Sequence, residues 1–179
     1  MKDAALAARC RALRLVLSDV DGVLTDGTVL LLPDGREAKA FHTRDGLGMV
    51  LARRAGLKLG LLSGRSSETV TARAAELGLE VVRQGVSDKR AAFQEVLREQ
   101  GLRAEEVAYI GDDLNDLSVL TEVGLSGAPA DAVFEVRAQA FMVMEARGGQ
   151  GCLREFLEAI LKARGQWESL LAGIGAALP

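Results

Sequence analysis

Short apolar runs recur along the chain and alternate with longer stretches of mixed polarity. Each run is only a few residues long and is almost uninterrupted by charge, which is typical of strands buried on both faces of a parallel sheet. The predicted strands are 15–17, 57–62, 79–82, 106–110, 125–127 and 140–144.

The stretches between these strands have the apolar spacing and the end signals of helices. Gly56, Gly78 and Gly101 each follow such a stretch as a stop, and Ser66 is a candidate cap at the start of one. Strand–helix alternation with short connections predicts an α/β fold, a Rossmann-like parallel sheet with helices on both faces. The predicted helices are 45–55, 66–77, 87–100, 114–123, 131–137 and 152–164.

One segment departs from this alternation. The turn sequence Pro33–Gly35 separates two short strand-like stretches, so residues 28–41 are predicted to form a β-hairpin. Residues 29–32 are all apolar, more than one solvated face would carry. We therefore expect the hairpin to pack on copies of itself or on a neighbouring subunit. The apolar tail, about 165–179, either reaches a neighbour, docks on its own core or is disordered.

Composition limits the functional classes. With 179 residues, 49% hydrophobic and 26% charged, residues 1–179 are expected to form one domain, and a net charge of −3 argues against a nucleic-acid partner. No apolar run approaches the ~18 residues that span a bilayer, so no membrane association is expected. Charges within the first twenty residues argue against a signal peptide. Cys10 and Cys152 are too isolated for a disulfide framework or zinc site, which suggests the cytoplasm.

Two acidic clusters follow predicted strands. Asp19 and Asp21 come after the first strand, and Asp112, Asp113 and Asp116 come after the fourth. Parallel strands of such a sheet end at one edge, where ligands bind, so the clusters should meet. Their mutual repulsion calls for a cation, and clustered carboxylates suit Mg²⁺. Taken singly, an acidic surface turn or an acidic helix start explains either cluster equally well.

The same strand ends carry further candidates for phosphate chemistry. Asp19 is ionised at neutral pH and suits a nucleophile, and Asp21 suits a general acid and base. Gly22 leaves a free amide for an anion. Ser63 offers a hydroxyl, and Lys89, in the first turn of a helix, needs an anionic partner because the helix dipole opposes its charge. An isolated lysine is more often a solvated surface residue.

In this order, the motifs "DVDGVLTDG", "LLSGR", "SDKR" and "YIGDDLND" resemble the four motifs of the haloacid dehalogenase-like hydrolases. The resemblance implies that Asp19 is the nucleophile and Asp21 the acid/base, which distinguishes the phosphatases of this superfamily. It implies Mg²⁺ bound by Asp19, Asp112 and the backbone carbonyl of Asp21. The resemblance also implies that Ser63 and Lys89 bind the phosphate. Asp113 and Asp116 match positions that either hold the water molecules around the metal or orient Lys89.

A longer set of segments narrows this resemblance. "KAFHTRDGLGM", "LLSGRSSETVTARAAELGL" and "GGQGCLREFLE", with the motifs above, are similar to the 3-deoxy-D-manno-octulosonate 8-phosphate phosphatase family. That family implies a capless homotetramer, a phosphorylated sugar acid as substrate and a place in lipopolysaccharide biosynthesis. The stretches between Asp21 and Ser63 and between Lys89 and Asp112 are indeed too short for an inserted cap domain. Phosphatases of 3-deoxy-D-glycero-D-galacto-nononate (KDN) or N-acylneuraminate 9-phosphates share this frame, and a general sugar phosphatase is a further alternative.

The sequence leaves alternatives for the residues that would contact the substrate. Gly64 and Arg65 follow Ser63, and Arg65 is a candidate for the sugar-acid carboxylate, although an exposed arginine at a helix start explains it nearly as well. Arg73 is either a helix-surface charge or a contact reached across a subunit interface. His42 is interpreted as a structural or interface residue rather than a catalytic one. The run 148–151 either starts the last helix or lies near the site.

A rival from another class is a phospho-accepting receiver-like domain, which also combines acidic residues, a hydroxyl and a lysine with Mg²⁺. In that class the acceptor aspartate ends a mid-chain strand and the acidic pair comes earlier. Here the acceptor-like Asp19 ends the first strand and the acidic cluster comes last. A catalytically inactive relative is disfavoured because Asp21 and Lys89 are both present.

Overall fold

Strand β1 (Leu15–Ser18) is the strand that carries the first acidic motif, and it is buried on both faces. Leu15 and Leu17 pack into one hydrophobic cluster and Val16 into another, as alternating side chains of a covered strand must. A computed structural model describes residues 2–177 of the chain and the side chains of residues 4–173.

The sheet around β1 has six strands. The others are β4 (Lys58–Leu62), β5 (Val81–Arg83), β6 (Val107–Ile110), β7 (Leu125–Ala128) and β8 (Met142–Val143). Their order across the sheet is β5-β4-β1-β6-β7-β8, and every neighbouring pair is parallel. The chain first builds the sheet on one side of β1 and then crosses to the other, so the strand order reverses at β1, where ligands of such sheets bind.

Helices cover both faces of the sheet, which confirms the predicted α/β class. The helices are α1 (Lys2–Ala12), α2 (Thr43–Arg54), α3 (Glu68–Leu77), α4 (Lys89–Gln100), α5 (Leu117–Leu120), α6 (Phe134–Gln139), α7 (Cys152–Ala163) and α8 (Trp167–Ala177). One hydrophobic cluster contains apolar residues of α1, α2, α3, α7 and α8, and the other contains those of α4, α5 and α6.

The hairpin is present but shorter than predicted. Only β2 (Leu30–Leu31) and β3 (Glu37–Ala38) pair, antiparallel, with Gly35 at a φ of 83° in the turn. The extension to residues 28 and 41 was wrong, because no third strand of the described chain continues the ladder and a lone two-stranded ribbon is marginal. Val29, Leu30, Leu31 and Leu32 are all exposed.

Several helix bounds also differ from the predictions. α2 begins at residue 43 rather than 45, α4 at 89 rather than 87, and α6 spans 134–139 rather than 131–137. Ser67, rather than Ser66, holds the N-cap position of α3, and its side chain makes no capping bond. The predicted helix 114–123 is a 3-10 turn, Leu114–Asp116, followed by the single-turn α5. Asp113 and Asp116 form a reciprocal capping box at the start of that turn. No helix among the described residues is long and apolar enough to cross a membrane.

Candidate active site

The carboxyl ends of β1, β4 and β6 bring the predicted chemistry into one cleft. Asp19 follows β1, Ser63 follows β4, and Asp112 stands two residues after β6. The cleft holds about 210 Å³, below the ~300 Å³ of a usual small-molecule pocket, so it suits a phosphate rather than a whole sugar. Its walls are formed by Asp19, Asp21, Gly27, Ser63, Gly64, Arg65, Asp112, Asp113 and Asn115.

Lys89 is buried at the base of this cleft, only 3% exposed, although it is the first residue of α4. Its Nζ lies 2.9 Å from Asp19 Oδ2 and donates to Asp116 Oδ1 at 2.6 Å. These carboxylates supply the anionic partners that a lysine in a first helical turn requires. Burial opposes the charge, but Asp19 and Asp116 outweigh it and raise the pKa of Lys89.

Asp116 is fully buried, and both of its oxygens are already occupied. Oδ1 accepts from Lys89 and from the hydroxyl of Tyr109, while Oδ2 accepts from the backbone N–H groups of Asp112 and Asp113 at 2.9 and 3.2 Å. An oxygen so occupied is poorly placed to bind a metal. The arrangement favours a role for Asp116 in holding Lys89.

Asp19, Asp112 and Asp116 place carboxylate oxygens within 4.8 Å of one another. These three negative charges exceed the single positive charge of Lys89 by two, which a divalent cation would cancel. Asp112 Oδ1 is buried and has no hydrogen-bond partner among the described side chains and backbone. A set made only of oxygen donors suits Mg²⁺, so the residues present fit that ion.

Without a cation Asp19 and Asp112 are hard to ionise. Burial, and then the charge of Asp116, raise the pKa of Asp19 to about 6, against the lowering effect of Lys89. Burial, and then Asp19 and Asp116, raise the pKa of Asp112 to about 8. Both shifts have the sign that repulsion in an uncompensated acidic pocket produces.

The loop after Asp19 turns tightly under Asp112. Gly22 has a φ of 84°, and a Cβ there would lie 2.0 Å from Asp112 Oδ2. Only glycine fits at this approach. The loop is supported from behind by the glycine run, where Gly149 N donates to Val23 O at 2.9 Å and a Cβ on Gly148 would lie 2.0 Å from Gly22 O.

Asp21 faces charged residues of the hairpin. Lys39 Nζ donates to Asp21 Oδ1, and the lysine side chain is only 1% exposed. Arg65 Nε lies 3.7 Å from Asp21 Oδ2, and Arg65 also binds Glu37 Oε1 at 2.7 Å. The general-acid candidate is therefore held between the hairpin and the loop after β4.

Ser63 is also well placed for an anion. It is only 2% exposed, and its Oγ accepts from the backbone N–H of Arg65 at 3.3 Å, which leaves the hydroxyl proton free to donate into the cleft. Gly64 lines the wall beside it.

Two candidates lie outside the cleft. Arg73, on α3, pairs with Glu76 at 2.8 Å and stacks over Phe41, so within one chain it does not join the other site residues. His42 caps α2, its Nδ1 accepting from Arg44 N at 3.2 Å, consistent with the structural interpretation.

Sequence reasoning missed Lys39, Glu37, Tyr109 and Asn115. Two signals were available: Glu37 and Lys39 are two positions apart in the hairpin and share a face, and Tyr109 is the one aromatic residue in a strand that leads to an acidic motif. Neither signal shows which partner the side chain meets.

Comparisons with known proteins identify the family of this chain. A family model described as haloacid dehalogenase-like hydrolase matches residues 38–124. The 3-deoxy-D-manno-octulosonate 8-phosphate phosphatase KdsC of Escherichia coli K12 is 40% identical over 159 residues, 89% of this chain and 85% of that protein.

Solved structures give the same result. A probable YrbI family phosphatase from Pseudomonas syringae superposes with a TM-score of 0.93 at 42% identity, covering 96% of this chain and 97% of that one. The 3-deoxy-D-manno-octulosonate 8-phosphate phosphatase of Moraxella catarrhalis, solved with magnesium, phosphate and KDO, has a TM-score of 0.92 at 35% identity, covering 94% and 97%. The chain belongs to the 3-deoxy-D-manno-octulosonate 8-phosphate phosphatase family of the haloacid dehalogenase-like hydrolases.

Proposed function

We propose that this protein is a Mg²⁺-dependent phosphatase that hydrolyses 3-deoxy-D-manno-octulosonate 8-phosphate to 3-deoxy-D-manno-octulosonate (Kdo) and inorganic phosphate. The observation that carries the proposal is the meeting of Asp19, Lys89 and Asp112 at one sheet edge, with Asp21 beside them. The relatives' substrate supplies the identity of the sugar acid.

The residues of the cleft divide the reaction between them. Asp19 attacks phosphorus and forms an aspartyl phosphate while Asp21 gives a proton to the leaving sugar oxygen. Asp21 then takes a proton from the water that hydrolyses this intermediate. Ser63 and Lys89 bind the phosphoryl oxygens throughout.

Mg²⁺ held by Asp19, Asp112 and the carbonyl of Asp21 would supply charge that offsets the negative phosphoryl group. Asp116 orients Lys89 from below. Asp113, exposed at the rim, is assigned to the waters around the ion.

Substrate choice is proposed to involve Gly64, Arg65 and Arg73. The small cleft holds the phosphate end, so the sugar acid extends past Arg65, whose guanidinium suits a carboxylate. Arg73 is proposed to act across a subunit interface in a homotetramer. We place the enzyme in the cytoplasm and in lipopolysaccharide biosynthesis, where Kdo is used.

The experiment is phosphate release with Mg²⁺ from 3-deoxy-D-manno-octulosonate 8-phosphate, KDN 9-phosphate, N-acetylneuraminate 9-phosphate and a hexose phosphate. We expect the highest kcat/KM for the first, and loss of release with Asp19→Asn, because an amide cannot form the acyl phosphate. Asp34→Asn, in the exposed hairpin turn, is the matched control. A preference for a nononate would move the assignment to that sugar acid, and wild-type turnover by Asp19→Asn would refute the mechanism.

A further inference from the structure

Lys39 is a buried lysine outside the four sequence motifs. Its side chain is 1% exposed, and its Nζ donates to Asp21 Oδ1 and lies 3.5 Å from Glu37 Oε1. Burying an ammonium group costs several kcal/mol unless its partners compensate. A hairpin that only packed against a neighbouring subunit would have no need of that charge.

The two oxygens of Asp21 have different surroundings. Oδ1 accepts from Lys39 and, at 3.4 Å, from the hydroxyl of Thr25. Oδ2 is buried and makes no hydrogen bond to any described residue, with Arg65 Nε 3.7 Å away. One oxygen is thus fixed, and the other remains available.

We propose that Lys39 is a positioning residue for the general acid: it holds Asp21 by Oδ1 and leaves Oδ2 to exchange the proton with the leaving group. This rests on the phosphatase activity proposed above. Glu37 holds Arg65 at 2.7 Å and lies near Lys39, so the second strand of the hairpin sets the position of both cations around Asp21.

The proton balance follows from this geometry. As the Asp19 oxygen bonds to phosphorus and the P–O bond to the leaving group breaks, the proton on Asp21 Oδ2 moves to the departing oxygen. The same carboxylate recovers a proton from the attacking water, and phosphate leaves Asp19 free. A misplaced Asp21 therefore matters most when the leaving group needs that proton.

Two aryl esters isolate this step. Phenyl phosphate and p-nitrophenyl phosphate have no carboxylate and similar shapes, but phenolate is the poorer leaving group and depends more on protonation. Their kcat/KM values report the steps up to formation of the aspartyl phosphate. For Lys39→Met we expect kcat/KM to fall about 10–100-fold with phenyl phosphate, as for a misplaced catalytic group. The fold-loss of kcat/KM with p-nitrophenyl phosphate should be smaller than that by a factor of about ten or more.

Lys58→Met is the matched control, since Lys58 is exposed and its Nζ donates to Gln100 and to no other described residue. It should behave like the wild type. Adding Lys39→Met to Asp21→Asn should lower kcat/KM for phenyl phosphate hardly further than Asp21→Asn alone does, because the two residues act as one unit. Should Lys39→Met fail to fold by circular dichroism, Lys39→Gln is expected to show the same selective loss.

Several results would overturn the inference while leaving the phosphatase intact. Equal losses on both esters would mean a structural role, and a selective gain with phenyl phosphate would mean that Lys39 opposes the acid. An effect confined to KM for the sugar-acid substrate would make Lys39 a substrate contact. If the wild type releases no phosphate from any ester, the proposed function itself fails.

Discussion

Asp116 shows at the scale of one residue how the site is held together. It is fully buried and accepts hydrogen bonds from Lys89, Tyr109 and two backbone amides, whereas Asp113 in the same motif is exposed and caps the following turn through Leu114 N at 2.7 Å. Two of the three aspartates in this motif thus have very different surroundings.

Asp116→Asn should therefore be far more damaging than Asp113→Asn. The new amide group would place N–H donors against Lys89 or against the two backbone donors, and Lys89 would lose a buried counter-charge. We expect the free energy of unfolding to fall by about 3–5 kcal/mol for Asp116→Asn and by about 1 kcal/mol or less for Asp113→Asn. Urea denaturation without Mg²⁺ measures both, and equal losses would contradict the assigned roles.

The ligand carboxylates link metal binding to pH. Burial and like charges raise the pKa of Asp19 to about 6 and of Asp112 to about 8, above the ordinary ~3.9 of an unfolded aspartate. Between about pH 4 and 8 the folded state then holds more protons than the unfolded state, so the stability of the metal-free protein falls as pH rises. Mg²⁺ held by the deprotonated carboxylates, as proposed, would counter this loss.

The increase in Tm on adding Mg²⁺ should accordingly be larger at pH 8 than at pH 5.5. Differential scanning fluorimetry with and without Mg²⁺ at both pH values measures the difference, since a ligand of the folded state raises Tm. Asp112→Asn should remove most of the effect at pH 8. An equal shift at both pH values would argue against these carboxylates as the ligands.

The residues that sequence alone identified are those that follow apolar strands within short motifs. Asp19, Ser63, Lys89 and Asp112 converge because parallel strands end at the same edge. Lys39 could not be found in this way, because its meeting with Asp21 depends on how the hairpin folds back over the loop. No local pattern encodes that path.

At the scale of elements, the strands were the most predictable part. All six predicted sheet strands are present, because a strand covered on both faces must be apolar at nearly every position. α1 and α8 were not predicted, since charged residues interrupt the apolar pattern of α1 and two glycines interrupt that of α8. The hairpin was overextended because apolar residues at 29–32 look like strand even when only two of them pair.

The glycine run, residues 148–151, supports the loop after β1 from behind. Gly148 and Gly149 pack so closely on residues 22–26 that a Cβ would lie 2.0 Å from Gly22 O and 2.6 Å from Asp26 N respectively. Asp45, on α2, fixes the start of α7 just beyond this run, its Oδ1 accepting from Arg154 N at 2.7 Å. A side chain in the run must push the loop, and Asp21 with it, into the cleft.

Gly148→Ala should therefore lower both Tm and kcat, with a loss of stability of about 1–3 kcal/mol from overpacking. Gly173→Ala is the matched control, because Gly173 lies in α8 and a Cβ there meets no described atom within 4 Å. Alanine favours a helix over glycine, so this variant should match or exceed the wild-type Tm. A Gly148→Ala protein with unchanged kcat would show that the loop tolerates the displacement.

At the scale of the whole molecule, one chain leaves the site open and the hairpin uncovered. The segments after β1 and β5 contain no inserted domain, and the described chain offers nothing that closes over the cleft. Leu30 is 57% and Leu31 67% exposed beside Val29 and Leu32. Such a contiguous apolar patch on a marginal two-stranded ribbon is typical of a surface that another subunit covers.

We therefore expect a homotetramer in which the hairpins pack on neighbouring subunits. Leu30→Lys together with Leu32→Lys should split the assembly, because charges would be buried at the contact. The same change should reduce kcat/KM for the sugar-acid phosphate more than for p-nitrophenyl phosphate, since the small ester needs no residue from a neighbour. Sedimentation velocity and both assays, run on the same samples, measure these effects.

Val143→Lys is the control, a similarly exposed apolar residue on β8, the edge strand of the six-stranded sheet, to which the hairpin does not belong. It should leave both the sedimentation coefficient and the ratio of the two activities unchanged. The variant protein with both leucines replaced also tests whether Lys39 keeps its contact with Asp21 when the assembly is lost. If Lys39 stays in place, the dissociated chain keeps its hydrolysis of phenyl phosphate, the ester that depends most on the general acid. A wild-type protein that sediments as a fully active monomer would refute the assembly and leave substrate choice to residues of the single chain.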